Sequence, residues 1–139
     1  MNDRARSQAA PSGEEKQVAV LIEKTSKEKT EQQAFSDLEV LGCPAVPAII
    51  KRMDDRRNLP DPRISLRNNS PDAFEGMRHY GPQVVVDALG AILNQITGQH
   101  FGFIYNGATE LGRAKTIQGW VAQFFKQDSS GEALRWRMI

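Results

Sequence analysis

The sequence predicts an all-α protein built from short helical hairpins that close into one globular domain. In its longest patterned stretch, residues 82–102, apolar residues recur at steps of four, three and four, the spacing of a buried helix face. Shorter segments on both sides repeat this spacing, which indicates about five helices in all. The length of 139 residues fits one domain, and 40% hydrophobic with 25% charged residues is ordinary for a globular protein.

The first helix is expected from about residue 12 to residue 25. Ser12, Glu14 and Glu15 favour a helix start, because acidic side chains stabilise the positive end of the helix dipole. The apolar stripe that follows consists of Val18, Leu21 and Ile22. A second helix is expected over 26–41, with an apolar face made of Ala34, Phe35, Leu38 and Leu41.

A tight turn is expected at residues 42–44, between the second and third helices. Gly42 ends the second helix, since glycine adopts the left-handed conformation at low cost. Pro44 and Pro47 then fit the start of the third helix, where a missing N–H is tolerated. The apolar stripe of this helix consists of Val46, Ile49, Ile50 and Met53. The two helices are therefore expected to form an antiparallel hairpin.

The regular pattern breaks between residues 54 and 80, where three prolines and several turn-forming residues occur. Ile64 and Leu66 alternate with polar residues, which favours a short extended piece. A short helical turn is expected around 71–76. Loops of this length are usually functional or disordered. Disorder is disfavoured by three apolar residues that can dock on the domain, namely Phe74, Met77 and Tyr80.

Gly98 is expected to end the central helix and to begin a second irregular segment, 99–107. Between its glycines this segment carries the ring side chains of His100, Phe101, Phe103 and Tyr105. It is expected to form either a small hairpin or an ordered loop laid over the helices. The last helix is expected to begin at Glu110 or Leu111, and Gly119 permits the close approach of a neighbour. Its apolar stripe consists of Ile117, Trp120, Val121, Phe124 and Phe125.

The two ends of the chain are expected to lie outside the domain, which spans 13–127. Residues 1–12 are polar and predict a flexible tail, and residues 128–139 predict a C-terminal tail that docks through its last apolar residues. No apolar run is long enough to cross a membrane. The expected compartment is the cytoplasm, with a mature periplasmic form as the alternative.

Two segments carry a family resemblance. EQQAFSDLEVLGCPAVPAIIKRM resembles a HEAT-type repeat, in which a helix and a short turn precede a second helix with Pro-Ala-Ile-Ile near its start. DALGAILNQITGQHFG followed by RAKTIQGWVAQFF is similar to the closing segment of many bacterial HEAT-like proteins. The long 54–80 loop departs from a standard repeat, so the resemblance implies about one and a half to two repeats. It also implies a scaffold that presents surfaces to partners, usually without catalysis.

The residue patterns of known catalytic and metal sites do not occur in this sequence. His79 and His100 lack the spacing of a metal or protease motif, and Cys43 has no base near it in the sequence. The acidic residues of 54–61 alternate with arginines, which favours surface ion pairs over a carboxylate site. We therefore expect a protein that is not an enzyme and that binds no cofactor or metal.

Arginine is concentrated between residues 52 and 78, although the net charge of the chain is only +1. Arginine forks suit carboxylates and phosphates, so this segment predicts either a docking loop for an acidic protein or a surface for nucleic acid. The plain alternative is a solvated loop pinned by arginine–aspartate pairs.

The favoured hypothesis is a protein–protein interaction module, one form of which is a bacterial immunity or adaptor protein that blocks its partner. The alternative is a helical repeat that binds nucleic acid through the 52–78 arginines. The two irregular segments are expected to supply the contacts. The expected partner-binding residues are Arg56, Arg57, Arg63, Arg67, Asn68, His79, Tyr80, Phe103 and Tyr105.

Overall fold

Five α-helices and two small antiparallel hairpins make up the described part of this computed structural model, residues 13–67, 76–127 and 134–136. The helices are α1 Gly13–Thr25, α2 Glu31–Leu41, α3 Val46–Ile50, α4 Val85–Thr97 and α5 Glu110–Phe124. A 3-10 turn, Cys43–Ala45, joins α2 to α3. The strands are β1 Ile64–Arg67, β2 Met77–Tyr80, β3 Phe125–Gln127 and β4 Leu134–Trp136. The fold is therefore mostly helical, and the all-α prediction is only partly right.

Helix α1 is confirmed, with Val18 and Ile22 buried, whereas Ser12 lies outside the described residues. The prediction that α2 begins at residue 26 is wrong, because residues 26–30 form a turn. Ser26 Oγ donates to the carbonyl of Glu23 at 2.7 Å, and Thr30 Oγ1 donates to the carbonyl of Lys24 at 2.7 Å. Short polar side chains that bond to nearby carbonyls in this way compete with helix formation.

Gly42 ends α2 at a positive φ of 72°, as expected, but its ψ of −159° is extended and not left-handed helical. Only glycine adopts this combination readily. The following helix is shorter than predicted, because α3 ends at Ile50 and residues 51–54 form turns. Met53 is nevertheless buried, as its place in the apolar stripe predicts.

Helix α4 is the centre of the core, as predicted, and ten of its thirteen residues are buried. Its C-terminal end is Gly98, in the left-handed conformation at φ 74° and ψ 5°. The segment before β1 covers its N-terminal end. There the N–H groups of Val85 and Val86 donate to the carbonyls of Arg57 and Asp55 at 2.9 and 3.0 Å. This satisfies two of the backbone donors that a helix N-terminus leaves free.

The 54–80 segment contains an antiparallel hairpin, of which the sequence predicted only the first strand. β1 alternates buried Ile64 and Leu66 with exposed residues, and β2 pairs with it in the register Ile64↔Tyr80 to Arg67↔Met77. Gln95 of α4 bonds through its amide nitrogen to the carbonyl of Arg67, which fixes the hairpin on α4. The helical turn expected near residue 71 and the side chain of Phe74 lie outside the described residues.

A buried ion pair joins α4 to α5. Arg113 donates from Nε and Nη2 to both carboxylate oxygens of Asp87, at 2.8 and 2.9 Å. Asp87 is fully buried and also accepts from the backbone N–H groups of Gln83 and Val84, at 3.2 and 3.4 Å. The pair is joined by two hydrogen bonds, and the remaining guanidinium nitrogen, Nη1, bonds Glu110. Such an arrangement offsets the cost of removing two charges from water.

We expect Asp87→Ala to lower the free energy of unfolding by about 3–5 kcal/mol, because it leaves the buried Arg113 charge with only the exposed Glu110 as a partner. Urea unfolding followed by far-UV circular dichroism measures this loss. Glu110→Ala is the matched control, since Glu110 bonds the same arginine at 3.1 Å from an exposed position. Losses of equal size in the two variants would contradict the role of the buried pair.

A second buried carboxyl belongs to Glu31, the first residue of α2, which is 1% exposed. Its Oε1 accepts the N–H of Asp61 at 2.8 Å, whereas Oε2 has no hydrogen-bond partner among the described residues. Burial raises the pKa of Glu31 above its ordinary value, and the negative charge of Asp61 raises it further. The hydrogen bond from the Asp61 N–H lowers this pKa but does not cancel the rise.

Because the pKa of Glu31 is higher in the folded than in the unfolded chain, its contribution to stability falls as pH rises through the window between the two values. We expect Glu31→Gln to gain stability relative to the parent chain from about pH 4.5 upward, where the unfolded carboxyl ionises. Urea unfolding at several pH values measures the difference. Glu14→Gln removes a negative charge from an exposed position of α1 and serves as the control. A difference independent of pH would contradict the assignment.

Candidate functional site

An open cleft of about 560 Å³ lies between the two irregular segments that the sequence singles out. One side is β2, Met77–Tyr80, and the other is the 99–107 loop with His100, Phe103 and Tyr105. Asn94 and Gly98, at the C-terminal end of α4, complete the lining. We call this the aromatic cleft.

Two glycines hold the 99–107 loop against the helices. Ile104 is 1% exposed and packs on Gly90 of α4, where an added Cβ would lie 3.2 Å from its side chain. Phe101 packs on Gly119 of α5, where an added Cβ would lie 2.5 Å from the Cβ of Phe101. The ring of Phe101 also meets Trp120 edge-on, with 4.7 Å between centroids. The loop is thus an ordered one laid over both helices, and Gly119 permits the close approach that the sequence predicts.

The loop and the hairpin are also joined to each other. The N–H of Gly81 donates to Oδ1 of Asn106 at 2.6 Å, directly after β2. The rings of Tyr80 and Tyr105 meet edge to face, with their centroids 5.6 Å apart. Because both sides of the cleft are tied together and to α4, its walls form one ordered surface.

Phe103 is the most exposed phenylalanine or tyrosine side chain of the cleft, at 75%. Its ring lies between those of His100 and Tyr105, with centroid distances of 4.6 and 6.2 Å. Leaving so large an apolar side chain in water forgoes the free energy of its burial. Met77, 42% exposed, adds to the same apolar surface.

The polar groups of the cleft are cationic or neutral. Nη1 of Arg78 donates to Oδ1 of Asn94 at 3.2 Å, and Nδ1 of His79 bonds with Oγ of Ser65 at 2.8 Å. The buried hydroxyl oxygen of Tyr105 has no partner among the described residues, and burial raises the pKa of Tyr105 to about 12. None of the described residues that line the cleft carries a carboxylate.

Three of the four expected arginines lie elsewhere and are paired with carboxylates. Arg56 bonds Glu110 at 2.9 Å, and Arg63 bonds Asp61 at 3.0 Å. Arg57 bonds Asp55 at 2.7 Å and Glu23 at 2.9 Å, and these hydrogen bonds raise the pKa of its guanidinium. This is the pairing of a solvated loop that the sequence offered as the plain alternative.

The structure therefore brings together four of the expected partner-binding residues: His79, Tyr80, Phe103 and Tyr105. Arg67 is exposed at the end of β1, and Asn68 lies outside the described residues. The expected set omitted other cleft residues, namely Met77, Arg78, Asn94, Gly98 and His100. Arg78 and Tyr80 carry no strand pattern of their own in the sequence, because their extended form depends on pairing with β1.

The histidines do not form hydrogen bonds with carboxylates in the described residues, and both are exposed. Among the described residues, no three or more histidine, cysteine or acidic side chains lie together in a way that could hold a metal ion. Cys43 is a free, exposed thiol in the turn before α3.

Comparisons with protein-family models, curated proteins and solved structures gave no match. The HEAT-like resemblance therefore stays a prediction from the sequence. Within the described residues, no helix has the length and apolar character needed to cross a membrane.

We expect Gly119→Ala to destabilise the protein by about 1–3 kcal/mol, because the new Cβ would force Phe101 away from α5. Gly112→Ala is the matched control on the same helix, since its Cβ would approach Thr109 Oγ1 only to 3.4 Å and alanine favours helix. Urea unfolding measures both changes. A Gly119→Ala variant as stable as the control would show that Phe101 does not anchor the loop.

Proposed function

We propose that the protein is a non-catalytic protein-binding module whose aromatic cleft receives a segment of another protein. The observation that carries this proposal is the exposure of Phe103 in an ordered cleft lined by aromatic rings. Aromatic side chains in desolvated pockets supply much of the binding energy of protein interfaces. The ties between the hairpin and the loop support it further, because an ordered surface loses little entropy on binding.

The lining of the cleft indicates the chemistry of the partner segment. Arg78 is bonded to a neutral amide, in contrast to the carboxylate-paired Arg56, Arg57 and Arg63. It can therefore pair with an acidic group without breaking an existing ion pair. The exposed rings favour a large apolar side chain beside that acidic group. We therefore propose a partner segment that combines an apolar and an acidic residue.

Nucleic acid is the less favoured partner. Binding to phosphates depends on cations that are free to replace counterions, and three of the expected arginines already have carboxylate partners. Exposed rings also stack on bases, so salt dependence is the measurement that separates the two partners.

The HEAT-like resemblance fits this proposal, because the helices would be a scaffold for the two contact segments. A bacterial immunity or adaptor protein that blocks its partner is the narrower form. The cleft supports that form, and identification of the bound protein tests it.

We expect Phe103→Ser to weaken partner binding at least tenfold, because it removes the central exposed ring. The partner is first recovered with the full chain from an extract of the native host. Its affinity is then measured by isothermal titration calorimetry with the purified components.

Leu111→Ser is the matched control, since Leu111 is 67% exposed on α5 and does not line the cleft. Unchanged affinity of the Phe103→Ser variant would overturn the choice of site. Recovery of nucleic acid alone, with an affinity that falls steeply between low and moderate salt, would overturn the protein partner.

A further inference from the structure

A second apolar surface lies on the outer side of the first two helices, in a groove of about 520 Å³. We call it the α1–α2 groove. Val40 and Val20 line it and are 82% and 54% exposed, and both belong to well-formed helices. Leu21 and Leu41 form its half-buried floor. Contiguous exposed apolar surface of this kind is typical of interaction sites.

The charges of the groove are divided between its two helices. Lys16 lies on the α1 side and Asp37 on the α2 side. The carboxylate of Asp37 accepts a hydrogen bond from the amide of Gln33 at 2.9 Å. Within the described residues, neither Lys16 nor Asp37 has an oppositely charged partner. The groove therefore offers one unmatched charge of each sign.

These features fit a second copy of the same chain. The short connection 26–30 makes α1 and α2 antiparallel neighbours, and a twofold axis parallel to the groove would place α1 of one copy on α2 of the other. Lys16 lies nine residues before the end of α1 and Asp37 six residues after the start of α2. At 1.5 Å per residue, their levels along the groove differ by only about 4–5 Å, which a lysine side chain spans.

Residues 1–12, which precede α1 directly, match the groove less well. Met1 is the single large apolar residue in that sequence, whereas filling the groove requires apolar side chains opposite Val20 and Val40. A second copy supplies these side chains and both missing charges at once. We propose that the α1–α2 groove is the interface of a twofold homodimer, in which Lys16 of each copy pairs with Asp37 of the other.

Sedimentation velocity over a range of concentrations tests this proposal. The parent chain is expected to shift from a mass of 15.5 kDa toward twice that value as concentration rises. Val40→Glu is expected to remain monomeric throughout, and its far-UV circular dichroism should be unchanged because the side chain is 82% exposed. Leu111→Glu introduces the same charge at an exposed apolar position of α5 and should dimerise like the parent chain.

A charge exchange tests the pairing independently of the apolar contact. Lys16→Glu and Asp37→Lys should each weaken the dimer about tenfold, because a twofold axis repeats every substituted contact. The double variant restores both pairs and should return to within about twofold of the parent affinity. Two charge-reversal effects that simply add in the double variant would overturn the pairing.

A parent chain that stays monomeric at every concentration would overturn the dimer and leave the groove to another occupant. A dimer that persists in Val40→Glu would place the interface on a different face. Phe103→Ser should leave the dimer unchanged, so this result is separate from the outcome for the aromatic cleft.

Discussion

The structure depends on the buried ion pair between Asp87 and Arg113. It joins the first turn of α4 to α5, while the same carboxylate accepts two backbone N–H groups at the entrance to α4. Arg113 also bonds Glu110, which bonds Arg56 in the segment before β1. A two-point arginine–carboxylate pair requires a particular geometry, so it constrains the relative placement of the two helices. The 99–107 loop of the aromatic cleft connects these two helices, and β2 ends shortly before the start of α4.

Helices with a strong apolar period were predictable from the sequence, because burial determines their pattern. This holds for α4, where the stripe through Val85, Leu89 and Ile92 is fully buried, and for the stop at Gly98. The turn at 26–30 was not predictable, since it depends on side chains that bond to particular carbonyls. Strand β2 was also missed, because its residues take an extended form through pairing with β1 and not through their own pattern.

The sequence singled out the two segments that line the aromatic cleft, but not that they meet or which charges remain available there. Pairs such as Asp55–Arg57 are close in the sequence, and arginine–aspartate alternation did predict them. The pairing of Arg56 with Glu110 joins residues 54 positions apart, which local spacing cannot reveal. The cleft likewise arises from contacts between segments, because two glycines admit Ile104 and Phe101 to the helix surfaces. Its position is therefore a property of the folded chain and not of any one motif.

The 99–107 loop contains two kinds of apolar residue, those that anchor the loop on the helices and one that is exposed. Phe101 and Ile104 hold the loop through contacts with glycine backbones, whereas Phe103 between them is 75% exposed and its ring meets those of His100 and Tyr105 in the same loop. Substitution at position 103 should therefore cost the fold little. If the cleft binds a partner as proposed, single replacements there would change its binding preference without altering the framework.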